Sequence, residues 1–164
     1  MKYLIFAMSL LALVSCKDNK NQESKTKMDT VEESADVKEE HHNDEASNVY
    51  ENAWIKEIVM NNGAKWEANA ETNEGVQKMQ NSIKTQTTST LYEYHKLAEQ
   101  LNEDKNYVIK NCTMKGASHD NLHIWLLPLM AKIEALSESK TIEDAVKIKH
   151  SINENISAYK NYFQ

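Results

Sequence analysis

The chain has 164 residues and a formal net charge of -6, with 19 basic and 25 acidic residues. The basic residues form no cluster, which argues against a nucleic-acid-binding protein, because such proteins need a positively charged face. The sequence also has no recognisable Ser-His-Asp set, glycine-rich phosphate loop or catalytic carboxylate pair. We therefore do not expect an enzyme.

The first 15 residues have the pattern of a signal peptide. Lys2 precedes an apolar run that reaches Val14 and is too short to span a bilayer as a permanent helix. The run ends in Leu-Val-Ser-Cys, a lipobox whose thiol belongs to Cys16. We predict that residues 1–15 are removed and that Cys16 carries a lipid such as palmitate, which anchors the protein to a membrane.

The next segment is polar and of low complexity. Residues 17–48 consist largely of Lys, Asp, Glu, Asn and Ser, and cannot bury enough apolar surface to offset the entropy of ordering them. We therefore expect residues 16–48 to form a disordered acidic tether, and its His41-His42 pair to be solvated. The Lys17-Asp18 step resembles an export signal of surface lipoproteins in the Bacteroidota, which implies the outer membrane, at its periplasmic face or the cell surface.

Residues 49–164 are enough for one domain. Apolar residues on either side of Asn62-Gly63 indicate a short β-hairpin. The remainder has helical spacing and predicts an all-α fold, an up-down-up-down four-helix bundle that follows the hairpin. The four apolar stripes run from Thr72 to Ile83, from Leu91 to Cys112, from His119 to Leu136, and from Ile142 to Phe163.

Local signals refine these helices. Pro128 lies within the third stripe, which continues beyond it, so we expect a kinked helix rather than a boundary. Gly116 suits the turn before this helix. Thr141, followed by Glu143 and Asp144, predicts the capped start of the fourth helix.

Cys112 is the only cysteine that remains if Cys16 carries the lipid, and an unpaired thiol in an oxidising compartment needs an explanation. His119 and His123 are four residues apart, so on a helix they share a face. With Met114 they offer a thiolate, two imidazoles and a thioether. This donor set suits copper in its Cu(I) state, whereas zinc would use Cys112 and the histidines without the thioether.

Other residues are expected around this site without binding the ion. Helix length places Glu71 and Tyr159 near the level of His123, and Asp120 can orient a ligand or cap the helix. The same count places Met79 about two helical turns away, where it belongs to the core. In the competing structural interpretation, Met114 fills a gap in the core and both histidines only pack against their neighbours.

A longer stretch carries a family resemblance. The run from Cys112 to Trp125, with the upstream segments Gly-Ala-Lys-Trp-Glu-Ala-Asn and Glu-Thr-Asn-Glu-Gly-Val-Gln-Lys-Met, resembles a family of small lipoproteins of the Bacteroidota. The resemblance covers about residues 55–163. It implies a helical domain that handles heavy metals.

Three functions remain open at this stage. The first is an envelope lipoprotein that binds copper, or alternatively zinc, for sequestration or transfer. The second is a bundle that binds haem non-covalently, since a Cys-x-x-Cys-His attachment motif is absent from the sequence. The third is a structural or partner-binding lipoprotein in which Cys112 and the histidines only pack.

We predict that Cys16→Ala releases the protein from the membrane and leaves its domain folded, because the anchor is a lipid on this one side chain. Membrane fractionation and circular dichroism measure the two effects. A fully processed variant that remained bound to the membrane would show that the lipobox interpretation is wrong.

Overall fold

The computed structural model describes residues 49–164, and this part of the chain is all-α. The predicted signal peptide, the lipidated Cys16 and the tether with its His41-His42 pair lie outside the described residues. Within residues 49–164, no helix is long and apolar enough to cross a membrane. After a short 3-10 helix at Ala53–Lys56, the four α-helices are α1 (Ala70–Thr85), α2 (Leu91–Asn111), α3 (Ala117–Glu138) and α4 (Ile142–Tyr162).

Each helix packs against the next, and α1 also packs against α4, so the four close into a bundle. Side-chain pairs show that neighbouring helices are antiparallel. Between α1 and α2, Ser82 bonds to Asp104, and Glu74 bonds to Tyr107. The later residue of α1 is therefore paired with the earlier residue of α2, so the two helices run in opposite directions. The short connections between the helices require this arrangement.

The predicted apolar stripes form most of the core. Residues such as Val76, Met79 and Leu101 are buried, and Met79 is fully inaccessible, which confirms its assignment to the core. The prediction was wrong for Ile142, which is 48% exposed because it occupies the first turn of α4, at the end of the bundle. Pro128 lies inside α3, which continues past it to Glu138 as expected.

Two helices begin with side-chain caps that the sequence specifies. Thr90 and Glu93 form a reciprocal capping box at the start of α2. Thr141 accepts a hydrogen bond from the backbone N–H of Asp144, which confirms the predicted cap of α4. These bonds satisfy N–H groups that have no partner within the helix, and they fix the residues at which the helices begin.

The predicted hairpin is present only as its turn. Asn62 and Gly63 both have positive φ, and the turn is closed by one bridge between Asn61 and Ala64. The part of the chain that the structure describes contains no strand. The flanking backbone is paired elsewhere: Val59 N–H donates to the Asn121 side chain, and Trp66 pairs with the chain end next to Phe163. The two-residue turn therefore does not continue into two hydrogen-bonded strands.

α1 and α2 are in close contact at Gly75. A Cβ atom at this position would overlap with the Cγ2 atom of Val108 and would lie 3.2 Å from the ring of Tyr107. Glycine is therefore required by packing, although it weakens a helix interior by about 1 kcal/mol relative to alanine.

We predict that Gly75→Ala lowers the free energy of unfolding by about 1–3 kcal/mol, because overpacking outweighs the gain in helix propensity. Denaturant unfolding measures the change. In a Val108→Ala background, which removes the atom that would overlap, the same substitution should cost clearly less. A higher stability of Gly75→Ala alone would contradict this account of the helix contact.

Candidate metal site

The candidate site lies at the end of the bundle where α2 ends and α3 begins. Cys112 is the C-cap residue of α2, and its N–H donates to the carbonyl oxygen of Val108. The chain then turns at Gly116, whose φ of 60° lies in the left-handed region that favours glycine. Because α3 begins directly after this turn, His119 lies in its first turn and faces back toward the end of α2.

One amide side chain connects the helix ends around this turn. Asn69, which directly precedes α1, donates from Nδ2 to the carbonyl oxygen of Asn111 and accepts at Oδ1 from the N–H of Thr113. The same Oδ1 also accepts from the hydroxyl of Thr72. The residues on both sides of Cys112 are therefore held against the start of α1.

Cys112 and His119 are in direct contact. The Sγ atom of Cys112 lies 3.7 Å from Nδ1 of His119, and both side chains are half-buried. The ring of His123, one helical turn further on, lies 4.3 Å from that of His119 at an angle of 54° between the ring planes. His123 is exposed. The structure therefore brings the predicted thiol and the two imidazoles into one row that leads from the core to the surface.

The separation of Cys112 and His119 matches that of two ligands on one ion. Bonds of about 2.3 Å to sulfur and about 2.0 Å to nitrogen, at a tetrahedral or trigonal angle, place the two atoms roughly 3.5–3.8 Å apart. The observed 3.7 Å falls in this range. Ring centres of two ligating imidazoles lie about 5 Å apart. His123 would therefore have to turn slightly, as an exposed side chain can.

The remaining predicted residues take different positions. Met114 is half-buried and packs against the hydrophobic core. Asp120 is exposed in the first turn of α3, where a carboxylate interacts favourably with the helix dipole. Glu71 accepts a hydrogen bond from Asn69, which lowers the pKa of its exposed carboxyl group. Glu71 is thus linked to the site through Asn69.

Tyr159 is buried and bonds to a residue of α1. Burial raises the pKa of its hydroxyl above the ordinary value, and an ionised Cys112 raises this pKa further. The hydroxyl donates to Oδ1 of Asn73 at 3.0 Å, and the ring packs edge-on against Trp125. Both causes favour the neutral form of Tyr159, which is held by Asn73 and Trp125.

Sequence reasoning missed two residues of this region, Asn69 and Asn73. Asn69 has the sequence signature of a helix cap, but its side chain makes long-range bonds instead of capping α1. Only the fold shows that Asn73 receives the Tyr159 hydroxyl. Among residues 49–164, no three side chains of the His, Cys, Asp and Glu types form a group that could hold a metal ion as they stand.

Comparisons of the chain with protein-family models, curated proteins and solved structures gave no match.

We predict that Asn69→Ala destabilises the domain by about 1–3 kcal/mol, because it leaves hydrogen-bonding groups at the start of α1, at the end of α2 and in the following turn without their partner. It should also raise the pKa of Glu71 toward its ordinary value, since the amide that stabilises the ionised carboxylate is lost. Denaturant unfolding and an NMR titration measure these effects. Asn81→Ala, on the exposed face of α1, is the control and should leave both quantities nearly unchanged.

Proposed function

We propose that residues 49–164 bind one soft transition-metal ion through Sγ of Cys112 and Nδ1 of His119, with His123 as the third ligand. The observation that carries this proposal is the 3.7 Å contact between sulfur and nitrogen, which is the spacing of two ligands on one ion. A thiol and imidazole in contact need only lose a proton to become such ligands. The exposure of His123 leaves a route by which the ion enters.

Copper is the ion that this donor set favours, with zinc as the alternative. A thiolate and imidazoles are compatible with both metals, but a half-buried pair suits the singly charged Cu(I) better than a dication. Met114 lies two residues after Cys112 and could supply a thioether for Cu(I) if it left its place against the core. Zinc would complete its shell with water.

The biological setting follows from the sequence features described above. We propose an outer-membrane lipoprotein of the Bacteroidota, anchored through Cys16 and carrying the metal-binding domain on its tether. A site that runs from a half-buried thiol to an exposed imidazole suits transfer of the ion to another molecule, because a second set of ligands can approach His123 from solvent. Sequestration requires only the binding step.

The competing interpretation is that Cys112 and His119 form a structural contact. It is favoured by the lack of a preformed three-ligand group within residues 49–164 and by the packing of Met114 against the core. In that case the thiol–imidazole pair helps to close the turn between α2 and α3, and the domain serves as a structural or partner-binding module. Measurement of metal binding distinguishes the two interpretations.

We predict that Cys112→Ser and His119→Ala each weaken Cu(I) binding at least about tenfold, since each removes a direct ligand, and that His123→Ala weakens it less. Anaerobic titration against a competing chelator measures the affinity. Binding should also weaken as the pH falls through the range in which histidines take up a proton. His150→Ala, a variant of an exposed histidine paired with Glu154, is the matched control and should bind normally.

Met114→Leu distinguishes the two ions, because it should weaken Cu(I) binding and leave zinc binding unchanged if the thioether is a ligand. Unchanged affinity for both metals in Cys112→Ser, with the protein kept reduced, would contradict the metal proposal and support the structural interpretation.

A further inference from the structure

A second group of polar side chains lies inside the bundle between α3 and α4. Lys132 on α3 and Ser151 and Asn155 on α4 all have an exposed fraction of 0%. We call these three residues the interior polar cluster. They are separate from the candidate metal site, and no function discussed above uses them. Polar groups so deeply buried are costly unless their hydrogen bonds are satisfied.

Lys132 has too few acceptors for its amino group. A protonated amine has three N–H donors, but Nζ has a single hydrogen-bond partner among the described residues, Oδ1 of Asn52. Burial lowers the pKa of Lys132 to about 8, although the charge of Glu154 opposes this change. At neutral pH the amine therefore remains mostly protonated, and two of its donors need partners other than Asn52.

Ser151 and Asn155 also have side-chain atoms that lack hydrogen-bond partners, and these atoms include acceptors. Within residues 49–164, the hydroxyl oxygen of Ser151 and both Nδ2 and Oδ1 of Asn155 are buried without a hydrogen-bond partner. The two side chains are one turn apart on α4 and share a face. The two side chains do not bond to each other, so neither provides the hydrogen-bond partner that the other lacks.

Hydrogen bonds to the backbone of α4 place Lys132 in the same region of the bundle as Ser151 and Asn155. Asn52, which accepts from Lys132, also donates from Nδ2 to the backbone carbonyl of Ser151 at 3.3 Å. On the other side, Nε1 of Trp125 donates to the backbone carbonyl of Asn155 at 3.0 Å. The backbone of α4 at both residues is therefore paired with groups from α3 and from the segment before α1. Only the side-chain atoms remain without partners.

We propose that the interior polar cluster binds ordered water, with at least one molecule that accepts from Lys132 and donates to Asn155 or Ser151. Water fits because the unpaired groups include donors and an acceptor, and one water molecule accepts up to two hydrogen bonds and donates two. The ammonium group of Lys132 disfavours a cation. Oδ1 of Asn155 disfavours an anion.

This water site explains how the bundle tolerates a lysine in its core. A buried charge with one hydrogen bond would be strongly destabilising, whereas one that is also solvated by internal water keeps much of its hydration. The same water would join α3 to α4 through side chains rather than through apolar packing alone. Asn52, which accepts from the amine of Lys132, lies directly before the 3-10 helix. This segment of the chain therefore forms part of the site.

NMR of the 15N-labelled full chain tests this proposal. We expect cross-peaks between the side-chain amide protons of Asn155 and water, with the sign that distinguishes a bound water molecule from rapidly exchanging surface hydration. Asn121 is the internal control. It is also buried, with an exposed fraction of 5%, but Nδ2 donates to the carbonyl oxygen of Ala117 and Oδ1 accepts from Val59, so its amide should give no such cross-peak.

A second variant tests the composition of the site. Ser151→Ala removes one partner of the water and a hydroxyl oxygen that has no hydrogen-bond partner among the described residues, so the fold should persist while the Asn155 cross-peak weakens at least twofold. A visible Asn155 amide without a water cross-peak would overturn the proposal. Equal cross-peaks at Asn155 and Asn121 would also overturn it, because they would indicate exchange with bulk solvent rather than a bound molecule.

Discussion

The geometry of the candidate site depends on how three helix ends are joined at one end of the bundle. The last carbonyl groups of α2 and the N–H groups of the following turn have no partners within a helix, and leaving them unpaired beside the core would be costly. The Asn69 side chain bonds to Asn111 on one side of Cys112 and to Thr113 on the other. The backbone on both sides of the thiol is therefore held in place by Asn69, in addition to the contact that the thiol makes with His119.

This arrangement determines what chemistry Cys112 can perform. With the backbone on both sides held by Asn69, the thiol has one hydrogen-bonding side chain in contact among residues 49–164, the imidazole of His119. The pair is half-buried, so a thiolate formed there gains from a positively charged partner, whether that partner is a proton on the imidazole or a metal ion. Both interpretations of the site thus use the same geometry. They differ in whether the sulfur binds a metal ion or only packs against the imidazole.

The sequence predicted those features that depend on local chemistry. Helical spacing identified the four helices, and the cap at Thr141 was found because an N-cap bond involves residues three apart. The hairpin was overestimated because its turn is local, whereas the backbone of Trp66 pairs with the distant chain end. Lys132 was missed for a similar reason: spacing gives the buried face of α3, but only the fold brings Asn52 to the amine.

The interior polar cluster has a consequence for the position of the site itself. Apolar packing between helices tolerates small slips, whereas directional bonds do not, and polar groups in a core can in this way select one register. Trp125 bonds to the α4 backbone at Asn155, and Lys132, two turns later on α3, is tied through Asn52 to the backbone at Ser151. Together these bonds fix how far α3 lies along α4. Because His119 is less than two turns before Trp125 on the same helix, its height relative to Tyr159 on α4 is fixed by the same bonds.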